Sequence, residues 1–352
     1  MVVMSEVKNN KTINYISLLN VVCAIAVVIL HTNGVTFWKF NNNGIWAISN
    51  LIECIFYFAV PIFFMITGIT LIDYRDRYST KEFFKKRVKK TVIPFIFFSI
   101  FGLFFLAYIS KALPIQEFNI VKFFNVIVDT QFMGIYWFFI PLFSIYLCMP
   151  LLSSIDKKNR KSVFLYLLGC CILFNTVLPF LNEILNLGLS LPIKMIIGTE
   201  YLMYPIMGYL LHTYDIDKKK EYVIYFLGIV SLLIHIIMTY NLSIQAQNVI
   251  ETYKGYNSIF CILYSAAVFL FVKNISKFIK SKKFFNLVNA VKKYTFAIYL
   301  LHWFLMDLFT FIFNLKTNSV LYILGLPIII IPFCISITYI IRKIPIVKHL
   351  LP

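Results

Sequence analysis

Hydrophobic residues occur along this chain in long unbroken runs, and charged residues lie mostly in the segments between them. The runs are too long for barrel strands, which alternate apolar and polar residues over about ten positions. A helix needs about 20 apolar residues to cross a bilayer. Ten runs of roughly that length cover residues 13–33, 45–72, 91–110, 135–155, 162–182, 193–212, 222–241, 256–272, 294–313 and 319–341. The pattern predicts an all-α polytopic membrane protein with about ten transmembrane helices.

The basic residues alternate from one connecting segment to the next. Of the 33 Lys and Arg, 27 lie at the N-terminus or after the even-numbered runs, and only 6 follow the odd-numbered runs. Lys and Arg collect in cytoplasmic loops. The alternation therefore supports the count of ten spans and predicts that both termini are cytoplasmic.

Composition narrows the class of protein further. The chain is 60% hydrophobic and 14% charged, whereas soluble domains carry about 25% charged residues and disordered chains are far less hydrophobic. The net charge of +18 is explained by membrane topology, so we expect no nucleic-acid partner. The seven cysteines lie in apolar runs without a CxxC motif, which favours buried small hydrophobes over a disulfide framework or a zinc site. We expect a single domain over residues 1–352 and no metal ion.

Ionisable side chains inside spans are costly and mark functional candidates. His31 lies in the outer part of the first run, and Asn20 lies eleven residues earlier on the same helix face, about 16 Å away. His31 could be a general base or a packed histidine. Glu53 could orient the His31 ring or reach the headgroup region. His302 could line a cavity or make a hydrogen bond between packed helices.

Other polar and aromatic positions allow two interpretations each. The segment 73–90, DYRDRYSTKEFFKKRVKK, holds eight basic residues. It is either a cytoplasmic anchor or a site for a phosphorylated ligand. Tyr136 and Trp137 are either residues of the interfacial aromatic belt or a platform for stacking sugars. His235 and Glu200 are interpreted as packing or interface residues.

Six segments in order resemble the acyltransferase 3 family, integral membrane acyltransferases that modify cell-surface glycans. The segments are ISLLNVVCAIAVVILH, YFAVPIFFMITG, FFKKRVKKTVIP, IYWFFIPLFSIYLCMPLL, YPIMGYLLH and YTFAIYLLHWF. The first resembles the family's opening motif of an Arg, ten residues and a His, with Asn20 in place of the Arg. Thr67 and Gly68 resemble the family's Ser-Gly pair.

The resemblance implies an enzyme of the bacterial plasma membrane. Such an enzyme moves an acyl group, usually acetyl, from cytoplasmic acyl-CoA to a hydroxyl at the outer face. The expected acceptor is a surface or capsular polysaccharide or its lipid-linked precursor. The candidate residues fall into three groups: His31 and Glu53 for catalysis; Arg87, Lys90, Asn20 and Thr67 for acetyl-CoA; and Tyr136, Trp137 and His302 for the acceptor.

Alternatives remain open at this level. The acyl group could pass directly to the acceptor or through a covalent intermediate on His31. A transporter or flippase for a glycan or lipid intermediate would share the hydropathy pattern. Asn20 also keeps open a non-catalytic relative that serves polysaccharide assembly.

Overall fold

The described part of the chain is built from helices. The computed structural model describes residues 2–109, 130, 133–189, 199–345, 347 and 349–351, with side chains from Asn14 onward. No strand occurs among these residues, and the predicted all-α class is confirmed.

Fourteen α-helices lie within the described residues. They are α1 Val2–Phe37, α2 Gly44–Phe56, α3 Ala59–Leu71, α4 Thr80–Arg87, α5 Ile93–Phe104, α6 Phe139–Ser154, α7 Lys157–Ile172, α8 Leu178–Ile184, α9 Met203–Thr213, α10 Lys218–Ala246, α11 Ile259–Ile275, α12 Lys282–Lys292, α13 Thr295–Ile312 and α14 Leu326–Ile341. Turns of 3₁₀ or π type extend several of them, including Val88–Val92 before α5 and Gly134–Phe138 before α6.

Eight helical segments of the described chain are long and apolar enough to cross a membrane. They are Asn14–Phe37, Gly44–Asp76, Thr80–Ile109, Gly134–Ser154, Lys157–Ile184, Lys218–Ala246, Thr295–Ile312 and Leu321–Ile341. The eighth predicted run corresponds to the shorter apolar helix α11. The sixth predicted run is described only in its later part, as α9, because residues 193–198 lie outside the described residues. The protein is therefore a polytopic helical membrane protein, and its orientation stays a prediction.

The second predicted run is not one continuous helix. It forms α2 and α3, which are separated at Tyr57 and Phe58. Pro61 follows three residues after this break, and a proline can neither donate to the carbonyl four residues earlier nor avoid crowding it. Glu53 lies about one helical turn before the break, and its side chain and that of Tyr57 line the same cavity.

Helix α1 is the centre of the helix packing, since it contacts α2, α3, α11, α12, α13 and α14. Helices α3 and α9 also pack very closely, through glycines on both sides. A Cβ atom on Gly68 would lie 2.0 Å from the carbonyl oxygen of Pro205, and one on Gly208 would lie 2.4 Å from that of Met65. Small residues let membrane helices approach in this way. The central α1 thus presents one face to a cavity walled by its neighbours.

Candidate active site

His31, near the C-terminal end of α1, contacts a second histidine on α13. The Nδ1 atom of His31 lies 2.5 Å from Nε2 of His302. The two ring centroids are 4.8 Å apart, and the ring planes are within 8° of parallel. His302 is fully buried, whereas His31 is only partly buried and lines a cavity. The ring of His31 is therefore held from behind by His302.

The hydrogen bonds of the pair determine where each ring carries its proton. Nδ1 of His302 lies 2.9 Å from the carbonyl oxygen of Ile298. A carbonyl oxygen can only accept, so this Nδ1 must carry the hydrogen, and in a neutral ring Nε2 is then the acceptor. His31 consequently donates its Nδ1 hydrogen to His302. The remaining nitrogen of His31, Nε2, keeps its lone pair, as a general base or a nucleophile requires.

The cavity beside His31 has a volume of about 640 Å³, and eight of its twenty described lining residues are Phe, Tyr or Trp. Trp137 packs over Tyr256 with ring centroids 5.3 Å apart, and Tyr256 stacks on Tyr57 at 4.1 Å. Further aromatic residues of the lining are Trp38, Tyr201 and Trp303. A ligand site is typically such an apolar concavity with a few polar groups directed into it. We call it the outer cavity, after the predicted orientation of His31.

Glu53 lines the outer cavity but does not orient the catalytic candidate. The sequence suggested that the His31 ring could donate to Glu53, but no such hydrogen bond occurs among the described residues. Its Oε2 accepts from Asn33 at 2.9 Å, and its Oε1 accepts from Lys254 at 3.3 Å. Asn33 also exchanges two hydrogen bonds with Ser49, which tie α1 to α2. His302 rather than Glu53 lies beside Nδ1 of His31.

Lys254 is a further charged residue beside the outer cavity, and the sequence does not single it out. It lies between α10 and α11, and its side chain is fully buried. Its Nζ lies 2.9 Å from Oε1 of Glu251 and 3.6 Å from the centroid of the Tyr57 ring. Burial alone would lower the pKa of Lys254, but the carboxylates of Glu53 and Glu251 outweigh burial and raise that pKa. A single Lys in a polar loop carries no sequence signal of such burial.

A second cavity, of about 170 Å³, adjoins the outer one. Four residues line both cavities and so form the boundary between them: Val27, Val60, Phe138 and Tyr299. Asn20 and Thr67 also line this second space, which we call the inner cavity. The spacing of Asn20 and His31 along one helix therefore corresponds to two neighbouring cavities.

Comparison with known proteins bears on what this pair of cavities does. A family model described as an acyltransferase domain matches residues 13–339, nearly the whole chain. The chain belongs to the acyltransferase 3 family. This confirms the resemblance found in the sequence and implies membrane acyltransferase activity. Comparison with curated proteins and with solved structures found no match.

Asn20 occupies the position of the Arg in the acyltransferase 3 motif. Its hydrogen bonds show which groups this position offers to the inner cavity. Its Nδ2 donates to the carbonyl of Ile16 at 2.8 Å, in its own helix. Thr67 likewise donates its hydroxyl hydrogen to the carbonyl of Phe63 at 2.9 Å. Both side chains therefore have oxygen acceptors available for the inner cavity, and neither supplies a positive charge.

The two basic residues assigned to acyl-CoA have different surroundings. The guanidinium of Arg87 packs over the rings of Phe83 and Tyr146, at 5.8 and 5.7 Å from their centroids. Its Nε is buried without a hydrogen-bond partner among the described residues. Tyr146 lines the inner cavity, so Arg87 lies directly behind that wall. Lys90 is exposed, and its role stays a prediction.

The three residues assigned to the acceptor lie in different surroundings, and only one of them lines the outer cavity. Trp137 lines the outer cavity. Tyr136 is fully buried, and its hydroxyl donates to the carbonyl of Leu300 at 2.8 Å, so the structure places it in helix packing. His302 is fully buried, contacts His31 and is not among the residues that line the outer cavity. Within the described residues, no three His, Cys, Asp or Glu side chains are grouped as a metal ion would require.

Proposed function

We propose that this protein is an O-acyltransferase that moves an acetyl group from cytoplasmic acetyl-CoA to a sugar hydroxyl at the outer face of a bacterial plasma membrane. The acceptor is a surface or capsular polysaccharide or its lipid-linked precursor. The observation that carries the proposal is the lone pair of His31 Nε2, fixed by His302, in a ligand-sized cavity. Membership of the acyltransferase 3 family supplies the reaction class.

The chemistry follows from the proton positions in the histidine pair. Nε2 of His31 removes the proton from the acceptor hydroxyl, and the hydroxyl oxygen attacks the thioester carbonyl. The tetrahedral intermediate collapses with cleavage of the carbon–sulfur bond. The thiolate of CoA then takes the proton from His31, which leaves an O-acyl sugar and free CoA. Throughout the cycle His302 accepts from His31 Nδ1 and holds the ring in one orientation.

The donor would approach from the inner side. Its phosphate groups suit a guanidinium such as that of Arg87, which lies behind the inner-cavity wall. The pantetheine arm carries amide N–H donors, and the oxygens of Asn20 and Thr67 are acceptors for them. The thioester would then cross the boundary beside Val27 and Val60 to reach His31.

Acetyl transfer in membranes tests this proposal. Radiolabelled acetyl-CoA is added to membranes from a host that makes its native surface glycan, with wild type, His31→Ala or His235→Leu. His235 is a buried histidine of α10 whose two nitrogens have no partner among the described residues, so leucine should be tolerated there. We expect label in the glycan with wild type and His235→Leu, and none with His31→Ala.

Each other outcome has a definite meaning. Label in the glycan with folded His31→Ala would remove His31 from the mechanism. No label with wild type, across a panel of acyl donors and with the acceptor present, would overturn the proposal. A glycan transporter or a non-catalytic relative would then be the better interpretation. Label trapped on the wild-type protein but not on His31→Ala would place the acyl group covalently on His31 during turnover.

A further inference from the structure

Among the described residues, the negative groups at the outer cavity are part of its lining, whereas the positive group that pairs with them is not. Two carboxylates, those of Glu53 and Glu251, are among the described residues that line it. The ammonium of Lys254 that pairs with both has a side chain 0% exposed, whereas the side chain of Glu251 is 36% exposed. The negative partner of this cluster therefore faces the cavity, and the positive partner lies behind it.

The cluster also carries an excess of negative charge. Two carboxylates share one ammonium group, and His31, which accepts at Nε2, adds no positive charge in its neutral form. The other described lining residues are apolar, aromatic or glycine. A ligand in this space therefore meets a net negative charge with no cation of the described lining to offset it.

One oxygen of Glu251 is available to a ligand. Oε1 forms an ion pair with Nζ of Lys254 at 2.9 Å and accepts a hydrogen bond from the hydroxyl of Tyr57 at 3.4 Å. Oε2 has no hydrogen-bond partner among the described residues. A carboxylate oxygen accepts from hydroxyl, amide or ammonium groups, but it repels another carboxylate or a phosphate, and more strongly where water is excluded.

We infer that the sugar unit bound in the outer cavity is neutral or bears an amino group, and that acidic sugars are excluded by Glu251. This inference rests on the proposed function and names its acceptor class. The aromatic walls accommodate the apolar faces of any sugar ring, so they do not discriminate by charge. The selection comes from an unfavourable charge pairing against the wrong acceptor.

Matched acceptors test the inference in membranes containing the full chain. Methyl glucoside, glucuronoside and glucosaminide differ at one substituent, and the galacto and manno series repeat the comparison with other hydroxyl positions. We expect wild type to prefer the neutral over the acidic member by at least tenfold in kcat/KM. Glu251→Gln keeps an oxygen for Lys254 but removes the charge, and should reduce that preference at least threefold. The matched control is Glu183→Gln, which removes an exposed carboxylate near the same loop, where it accepts a hydrogen bond from the Thr252 hydroxyl. This control should leave the preference for the neutral acceptor unchanged.

The possible outcomes distinguish failure of this inference from failure of the proposed acyltransferase function. Acidic and neutral acceptors used at equal rates by wild type would overturn the inference and leave the acyltransferase intact. Transfer neither to any sugar of the panel nor to the native glycan would overturn both. If Glu251→Gln does not fold, wild type alone decides through the methyl glucuronamide, which has nearly the shape of the glucuronoside but no charge. The amide should be used about as well as the neutral glucoside, and an amide rejected as strongly as the acid would contradict an electrostatic origin.

Discussion

Replacing His302 is the sharpest test of the mechanism, because this residue acts on the reaction only through His31. His302→Phe fills a similar volume but offers no acceptor to the Nδ1 hydrogen of His31. His302→Gln can place its amide oxygen near the position of Nε2 and so keep an acceptor. The two variants differ mainly in one hydrogen bond that now measures 2.5 Å.

The magnitude follows from the burial of this bond. His302 is 0% exposed, so no solvent replaces its nitrogen when the ring is removed. A buried donor left without a partner costs about 1–3 kcal/mol, which corresponds to a rate factor of roughly 5 to 150. His31 also becomes able to rotate or to carry its proton on Nε2, which would remove the base. We therefore expect kcat of His302→Phe to fall about 100-fold.

The assay is acetyl transfer in membranes, with kcat and the KM for acetyl-CoA normalised to folded protein. His302→Phe should change kcat and leave KM for the donor nearly constant, because His302 does not line the inner cavity. His302→Gln should recover most of the activity. His235→Leu, at the buried histidine of α10, is the control for placing an apolar residue at a histidine within a span.

Two results would refute the reasoning. Wild-type kcat in folded His302→Phe would show that the hydrogen bond does not position His31. Equal losses in the Phe and Gln variants would show that ring packing rather than the acceptor nitrogen matters. A rise in KM alone would instead indicate that His302 contacts a substrate.

Three further predictions address the donor, the ion cluster and the helix packing. Arg87→Ala should raise the KM for acetyl-CoA about tenfold, as loss of a charged hydrogen bond would, whereas the same change at exposed Lys158, outside the segment 73–90, should leave KM unchanged. An unchanged KM in Arg87→Ala would return the segment to the anchor interpretation. Lys254→Met leaves two carboxylates without their buried cation and should destabilise the protein by about 3–5 kcal/mol, measured as a lower Tm in detergent. Lys39→Met, at an exposed site, should leave Tm unchanged. An unchanged Tm in Lys254→Met would show that the ion cluster is dispensable for stability. Gly68→Ala places a Cβ atom against the backbone of α9 and should lower the free energy of unfolding by about 1–3 kcal/mol. The control Gly169→Ala adds a Cβ atom that meets nothing within 4 Å and should leave Tm nearly unchanged. Equal Tm values for the two variants would contradict the close approach of α3 and α9.

Several features were predictable because they depend on one segment of chain at a time. Hydropathy identifies helices that must satisfy their backbone groups in lipid, and the helical repeat places Asn20 and His31 on one face. Both expectations agree with the structure, in which the two residues line adjoining cavities. The break at Tyr57 and Phe58 is also local in origin, since Pro61 disfavours a continuous helix there.

The partners of the site residues were decided only by the tertiary structure. His31 and His302 are separated by 271 residues, and Glu53 and Lys254 by 201. Lipid-facing and helix-facing surfaces are similarly apolar, so hydropathy marks a span without stating which spans become neighbours. The amino-acid sequence was sufficient to predict the family, the all-α class, and the helix face of α1 that carries both Asn20 and His31. Packing of α1 against α2 and α13 places His302 rather than Glu53 beside His31. Inward folding of the loop before α11 places Lys254 behind the cavity wall, against Glu53 and Glu251.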